Sequence, residues 1–284
     1  MLFKLSYRRN AGKLTVTIEG KLTVKHPSLK LPHGIDFVDE HTLAVANRKG
    51  RLVVLRLPDV PFDGNEATAD LLYESDKASW RHDMKSPGSV AVANKGRFGY
   101  QVLVCLNYSK RIAHQKIFTG FGDHRAYRRR IALKRGMEIL DGISVCSQSK
   151  SVAISNHDEH AIRVYPSYRS ISKHVEPSGR LMGSAYPHGV RFMQDGRGVL
   201  VADAGAPLVH YWRDDTTNWQ GDHQPTGSFK IMDDATFLAG RHNTQEGGPK
   251  GLDIHPFGDF LVLTSEQQGF AAYDLTTMMA QVRS

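Results

Sequence analysis

The chain has 284 residues, of which 40% are apolar and 9% aromatic, and this length accommodates one large all-β domain or two ordinary domains. No apolar run approaches the roughly 18 residues that a membrane-spanning helix needs. Arg8 and Arg9 stand where a signal peptide would have its apolar core. Cys105 and Cys146 lie in apolar, strand-like runs, which predicts buried free thiols rather than a disulfide framework. We therefore expect a cytoplasmic protein with no membrane association.

The net charge of +8 is concentrated most densely in the segment RAYRRRIALKR, residues 125–135. Two interpretations of this segment are open. It is either an anion-binding or nucleic-acid-binding face, or an exposed sheet edge whose positive charge discourages edge-to-edge pairing. The segment comes late in its repeat, where an outer strand is expected, and this position favours the sheet edge. A nucleic-acid partner is therefore not expected.

Two strand-like runs, LFKLSYRR from Leu2 and KLTVTIEG from Lys13, precede a phrase that then occurs five times. Each copy contains a small residue, a glycine, a short alternating apolar run, a turn, and a second apolar run that ends on Asn, Asp or Ser. The glycines of the five copies are spaced by 54, 54, 47 and 62 residues, and they are Gly34, Gly88, Gly142, Gly189 and Gly251. A period of this size is typical of a repeat fold, and a β-propeller blade takes roughly 40 to 50 residues.

The apolar runs within the repeats are short, rich in β-branched and aromatic residues, and bounded by turn sequences, which argues against a helical solenoid. Representative runs are IDFV, TLAVAN, SVAIS, VLVAD and DFLVL. We predict a single all-β domain over residues 1–284, a β-propeller of four-stranded blades whose ring is closed by an N-terminal strand. Five blades is the literal count. A sixth blade remains open, built from the two N-terminal strands and the C-terminal AQVRS.

Polar residues occur at two fixed positions of the repeat. Adjacent strands of a blade are antiparallel, so the start of the first strand and the end of the second lie on the same face of the disc. The residues before the glycines are His33, Pro87, Asp141, His188 and Lys250, and those ending the second strands are Asn47, Asn107, Asn156, Asp203 and Ser265. We expect these two sets to meet at one mouth of the central channel.

The chemistry of this set permits two interpretations. Oxygen ligands from Asn and Asp suit calcium, whereas nearby imidazoles would admit another divalent metal, and His33 or His188 would be candidate general bases. Alternatively, Asn and Asp at strand ends bond to nearby backbone groups and start turns. The HDEH segment at residues 157–160 resembles a metal-ligand set, but its place after Asn156 favours a hairpin turn. Trp80, His82 and Asp83 on the mouth side would line a pocket or, as their position favours, form a surface loop.

At these phrases the chain resembles the calcium-dependent propeller hydrolases that comprise the SMP-30/gluconolactonases and paraoxonases, and it is similar to NHL-repeat propellers. The resemblance implies a calcium ion held by Asn107, Asn156, Asp203 and one carboxylate. Glu246, in EGGPKG, is the nearest textual match to the family's carboxylate phrase, and Asp141 stands at a similar inner-strand position on another blade. The family's EGP-x-W phrase is missing near the start of the chain.

The function expected from these observations is a metal-dependent hydrolase of a lactone or related small ester. The metal would be calcium or another divalent ion, with Asn47, Asp141, Lys250 and Ser265 as ligand-binding residues around it. The alternative is a non-catalytic, NHL-like propeller that binds a small ligand, a glycan or a protein on the same face.

Overall fold

The structure, a computed structural model, describes residues 1–75, 86–120 and 123–283. Within these residues 23 strands form six sheets, arranged as the blades of one β-propeller. The predicted fold class is therefore confirmed, and the blade count is six. We call the sheets the N-terminal blade and blades 1 to 5, the latter numbered by the phrase that each contains.

The N-terminal blade has three strands and includes the two runs that carry no repeat phrase. Its strands are β1 (Leu2–Asn10), β2 (Lys13–Lys25) and β6 (Asp63–Thr68). Strand β2 pairs with β1 as a hairpin and with β6 in parallel. The sixth blade left open by the sequence is thus real, but its third strand comes from the middle of the first repeat rather than from the C-terminus.

Blades 1, 2 and 4 have four antiparallel strands each. Blade 1 consists of β3 (Pro32–Asp39), β4 (Thr42–Asn47), β5 (Leu52–Arg56) and β7 (Asp70–Glu74). Blade 2 consists of β8 (Pro87–Gly96), β9 (Gly99–Leu106), β10 (Arg111–Phe118) and β11 (Arg125–Leu133). Blade 4 consists of β16 (Pro187–Phe192), β17 (Gly198–Asp203), β18 (Leu208–Arg213) and β20 (Gly227–Lys230).

Blades 3 and 5 depart from the four-stranded pattern. Blade 3 has β12 (Leu140–Val145), β13 (Val152–Asn156), β14 (Ala161–Tyr165) and β15 (Gly179–Leu181), extended in parallel by β19 (Gly221–His223). Blade 5 has only β21 (Gly251–Ile254), β22 (Phe260–Ser265) and β23 (Gly269–Asp274). Helices α1 (Asp234–Gly240) and α2 (Leu275–Arg283) contribute to the core between blades 4 and 5. Because α2 extends to Arg283, most of the C-terminal AQVRS is helical rather than part of a strand.

The hydrophobic core is divided into layers that lie between neighbouring blades, because the sheets of blades 1 to 5 pack against one another face to face. Leu103 and Ile143 belong to the layer between blades 2 and 3, and Val190 and Trp212 to the layer between blades 3 and 4. Both cysteines are free and buried in such layers, as the sequence predicts. None of the described helices is long and apolar enough to cross a membrane.

The ring is closed by contacts between β1 and blade 5. The Arg9 guanidinium donates two hydrogen bonds to the Asp274 carboxylate, at 2.7 and 2.9 Å. The Phe3 and Phe270 rings lie 5.4 Å apart, and Tyr7 packs on Phe260 at 5.3 Å. The N-terminal strand therefore joins the two ends of the chain, as predicted, although it does so from a blade of its own.

β-bulges shape the start of the innermost strands, at the positions where the repeats place their polar residues. The pairing register steps from Pro32↔Asn47 to Gly34↔Ala46, so His33 is an extra residue in its strand. Asp141 is the corresponding extra residue between Leu140 and Gly142. A bulge re-aims the side chain of the extra residue, which is why bulges are frequent next to functional sites.

The glycine after each of these residues lets neighbouring inner strands approach closely around the channel. A Cβ atom on Gly142 would lie 2.0 Å from the carbonyl oxygen of His188 in the next blade. A Cβ atom on Gly34 would lie 2.6 Å from the carbonyl oxygen of Gly88. No side chain fits in that space, so the repeated glycine is a packing requirement of the channel wall.

Candidate functional site

Three of the predicted side chains converge at the channel mouth, although they come from blades 1, 3 and 4. Each of His33, Asp141 and His188 offers a ligand atom, and these atoms all lie within 4.8 Å of one another. The His33 and His188 rings are 5.8 Å apart. Asp141 is buried, whereas both histidines keep surface that is accessible from the channel. We call these three residues the mouth triad.

Asp141 is the centre of a larger polar cluster. Its Oδ1 atom accepts hydrogen bonds from Arg48 Nη2 at 3.0 Å and from Asn107 Nδ2 at 2.9 Å. The Nδ1 atom of His157 lies 3.3 Å from Asp141 Oδ2, and among the described residues it has no hydrogen-bond partner. The carboxylate is therefore oriented from one side by an amide and a guanidinium, and it is faced from another side by an imidazole.

The electrostatics of the cluster favour an ionised carboxylate among neutral imidazoles. Burial alone would raise the pKa of Asp141, but the surrounding imidazoles and the Arg48 guanidinium together lower it below its ordinary value. Burial lowers the pKa of His188, and the attraction of Asp141 only partly opposes this effect. Burial is also the main reason why the pKa values of His33 and His157 are lowered. At neutral pH the imidazoles thus have free lone pairs.

The mouth triad opens into a central cavity of about 610 Å³. Its polar end includes the triad and Lys250, and Arg191, Asp36 and Asp253 lie along its wall. The N-terminal blade supplies an apolar side, because β1 carries no repeat phrase and lines the cavity with Met1, Leu2, Phe3 and Leu5. A cavity of this size accommodates a small molecule with one polar end and one apolar end.

Asn47, Asn156 and Asp203 have a shared role in joining the blades. The side-chain oxygen of each accepts a hydrogen bond from a backbone N–H group in the segment just before the innermost strand of the same blade. The donor is in each case the residue four positions before the repeat glycine. The donors are Lys30 at 3.0 Å, Glu138 at 2.7 Å and Ala185 at 2.6 Å. These oxygens therefore hold the segments that lead into the innermost strands, which is the turn-forming role that the sequence left open. We do not include these three residues in the candidate metal site.

Asn107 differs from the other strand-end residues. It is 8% exposed, its amide nitrogen is bonded to Asp141, and its Oδ1 atom has no hydrogen-bond partner among the described residues. An unpaired buried oxygen costs free energy, so Asn107 offers an available acceptor atom beside the mouth triad. Asn107 is the predicted oxygen ligand that lies nearest to the triad's carboxylate.

The remaining predicted residues are occupied by other contacts. Glu246 forms an ion pair with Lys250, and the Ser265 hydroxyl accepts a hydrogen bond from the backbone N–H of Gln268 at 3.1 Å. Lys250 lines the cavity, but Ser265 and Glu246 do not. Trp80, His82 and Asp83 lie outside the described residues.

The calcium site implied by the family resemblance does not fit this donor set. Calcium takes six to eight oxygen ligands. Asn156 and Asp203 use their oxygens for the backbone, and Glu246 pairs with Lys250. The atoms that do converge are two imidazole nitrogens and one carboxylate, a set that suits zinc, iron or manganese better than calcium.

Two residues of the cluster were not identified from the sequence. Arg48 and His157 directly follow the strand-end residues Asn47 and Asn156, and both contact Asp141. His157 was assigned to a hairpin loop, and it does begin a short 3-10 turn, but its side chain is only 3% exposed. Arg48 and His157 occupy the same repeat position, directly after the strand-end residue, and this shared position predicts that both lie at the mouth.

Comparisons with known proteins identify the fold and nothing finer. No protein-family model matches the chain, and no curated protein sequence matches it. A crystal structure of a nidogen/laminin complex matches 95% of this chain and 85% of its own, with a TM-score of 0.60 and 13% identity. A protein from Lactobacillus plantarum matches 92% of this chain and 70% of its own, with a TM-score of 0.60 and 14% identity.

The Dos1 propeller matches 86% of this chain and 57% of its own, with a TM-score of 0.50 and 14% identity. At these levels of identity the similarities show a shared propeller architecture. Function must therefore be argued from the site itself.

Proposed function

We propose that this protein binds a divalent transition-metal ion at the mouth triad and hydrolyses a lactone or related small ester in the central cavity. The observation that carries the proposal is the convergence of His33, Asp141 and His188, whose ligand atoms lie within 4.8 Å of one another. Two neutral imidazoles and one carboxylate leave coordination positions open, as catalytic metal sites do. In this proposal both histidines are ligands rather than the general bases suggested by the sequence.

A bound metal would supply Lewis acidity to the carbonyl group of an ester, and water would be the nucleophile that forms the new C–O bond as the acyl–oxygen bond breaks and the alcohol leaves. The surrounding residues of the chain have supporting roles. Asn107 and His157 position Asp141 from two sides, and outer contacts of this kind tune metal affinity. The apolar side of the cavity, with Phe3 and Leu5, would hold the hydrocarbon part of the substrate.

One contact favours a second candidate function. Arg48 already pairs with Asp141 at 3.0 Å, so the carboxylate is satisfied without a metal. On this basis the mouth would bind a small ligand without catalysis, using the imidazoles and Lys250 for its polar end. The two functions differ in whether the mouth triad binds a metal ion.

Metal titration separates the two candidates. Chelator-stripped protein would be titrated calorimetrically with Zn²⁺, Mn²⁺ and Ca²⁺, in the parent and in Asp141→Asn and His33→Ala. We expect one transition-metal ion per chain in the parent, with affinity lowered more than about 100-fold in both variants, because even outer-shell partners contribute 10- to 100-fold. The control is His41→Ala, an exposed histidine in the turn between β3 and β4.

Turnover is tested on the same proteins with a panel of lactones and aryl esters. We expect activity that is lost with chelator and restored by the metal. If the parent binds no metal, the mouth triad is not a metal site and ligand binding without catalysis becomes the better candidate. If metal binds but no ester or lactone is turned over by the loaded protein, the metal site stands and the hydrolase assignment is wrong.

A further inference from the structure

The excess positive charge of the protein is confined to one hairpin on the outside of blade 2. Residues 110–135 contain nine lysines and arginines and a single acidic residue, Asp123, which gives a net charge of +8. This equals the net charge of the whole chain, so the other 258 residues are neutral overall, with 28 basic and 28 acidic residues. The segment comprises β10, β11 and their flanking turns.

The density of this charge exceeds what protection of a sheet edge explains. Lys116 and Arg128 stand directly opposite each other in the β10–β11 ladder, and like charges in that position destabilise a sheet. Arg128 is exposed and forms no ion pair with any described residue. A few charges suffice to block an edge, whereas opposed cations within one ladder carry a cost that an anionic partner would offset.

Exposed aromatic rings lie among these cations. Tyr127 is 67% exposed and is the extra residue of a bulge, since the register steps from Ile117↔Ala126 to Lys116↔Arg128. Phe98 is 65% exposed, carries the Arg97 guanidinium over its ring, and accepts a backbone hydrogen bond from Thr119 beside the end of β10. The rings therefore stand at the same end of blade 2 as the first half of β11.

We propose that this surface, formed by Arg97, Phe98, Lys116, Arg125, Tyr127 and Arg128, binds single-stranded nucleic acid. Cations that follow a backbone of phosphates, interleaved with rings on which bases stack, are the two components of such surfaces. An anionic membrane would use the same charge, and the vesicle measurements below distinguish it from nucleic acid. Lys116, Arg125, Tyr127 and Arg128 lie on the outer strands β10 and β11. Arg97 and Phe98 lie in the turn between β8 and β9, at the end of the blade away from the strand-end residue Asn107, so this binding is independent of the proposed hydrolase.

The test measures fluorescence anisotropy of labelled 30-nucleotide oligo(U) and oligo(dT) with the full chain across a range of salt concentrations. We expect binding that weakens steeply as salt rises. In the double variant Lys116→Glu/Arg128→Glu the salt slope should fall by about 1.4, because each phosphate contact to a single strand contributes about 0.7. The matched control is Lys4→Glu/Lys13→Glu, which makes the same charge change on exposed residues of the N-terminal blade.

Tyr127→Ala tests the contribution of stacking. It should weaken binding about 10-fold without changing the salt slope, in line with the measured effect of removing one base-stacking ring. Vesicles with and without phosphatidylserine are measured in parallel, and thermal melts confirm that each variant is folded. The proposal is wrong if the parent does not bind oligonucleotides, if the control double variant loses affinity equally, or if anionic vesicles bind while Tyr127→Ala has no effect on either ligand.

Discussion

Asp203 and His210 form a buried pair in blade 4, with 3.0 Å between the carboxylate Oδ2 and the imidazole Nε2. The same carboxylate accepts backbone hydrogen bonds from Ala185, Tyr186 and Gly205. On the other side of the imidazole, His210 Nδ1 lies 2.7 Å from the Ser228 hydroxyl. Asp203 thus links the segment that enters β16 to the outer strands of its own blade.

We predict that Asp203→Ala destabilises the fold by about 3 to 5 kcal/mol, because several buried backbone donors lose their acceptor at once. Urea unfolding monitored by fluorescence measures this loss. Asp195→Ala, at an exposed turn of the same blade, is the control and should cost less than about 0.5 kcal/mol. Transition-metal affinity of the folded Asp203→Ala protein should equal that of the parent. A stable variant that has lost metal binding would instead support the ligand set implied by the calcium-dependent hydrolases.

The repeat phrase made the propeller and its mouth predictable, because glycine position and strand alternation are properties of the local sequence. The N-terminal blade was harder to predict, since its strand β6 is inserted from blade 1 and pairs in parallel with β2. The residues of the mouth triad were all expected at the mouth, but the roles of the strand-end residues were only partly predictable. Asn47 and Asn107 share a repeat position, but the first amide faces a backbone segment and the second faces Asp141. That choice depends on the neighbouring blade rather than on the repeat.

Gly142 tests the close approach of the inner strands. In Gly142→Ala the new methyl group would meet the His188 carbonyl oxygen at 2.0 Å, so the strands that carry two triad residues must separate. We expect a loss of about 2 kcal/mol or more in unfolding free energy, comparable to overpacking of a core, and a weaker metal affinity. The control is Gly96→Ala in β8, where the nearest atom is 3.8 Å away. Equal stability of the two variants would contradict the packing requirement.

The Arg9–Asp274 pair should stabilise the closed ring modestly. Both side chains are partly exposed, at 31% and 18%, so a double-mutant cycle with Arg9→Ala and Asp274→Ala should give a small favourable coupling that decreases with salt. The Arg9 guanidinium lowers the pKa of Asp274 to about 2, below its ordinary value of 3.8. The coupling should therefore be present above pH 4 and disappear as the pH falls toward 2. A coupling that is independent of both salt and pH would contradict this assignment.

His114 should make the fold sensitive to mild acid. Its Nε2 atom lies 2.8 Å from Gln101 Oε1, and its Nδ1 atom accepts a hydrogen bond from Arg130 Nε at 3.2 Å. Burial, together with the charges of Arg130, Lys116 and Arg128, lowers the pKa of His114 from 6.5 to about 4. Above pH 6.5 the imidazole is neutral in both the folded and the unfolded state, so it adds no pH dependence there.

Between pH 6.5 and 4 the unfolded chain takes up a proton at His114 that the folded chain does not, so the free energy of unfolding should decrease as the pH falls through this interval. His114→Gln removes the titration and should flatten that decrease by the equivalent of up to one proton. Urea unfolding at pH 7.5, 6.5, 5.5 and 4.5 gives the free energy of unfolding of the parent and the variant. The contributions of the other titrating groups cancel when one free energy is subtracted from the other. The prediction fails if the two stability curves stay parallel. A positively charged His114 in the native state would produce that result, because the imidazole would then gain its proton in the folded and unfolded chains alike.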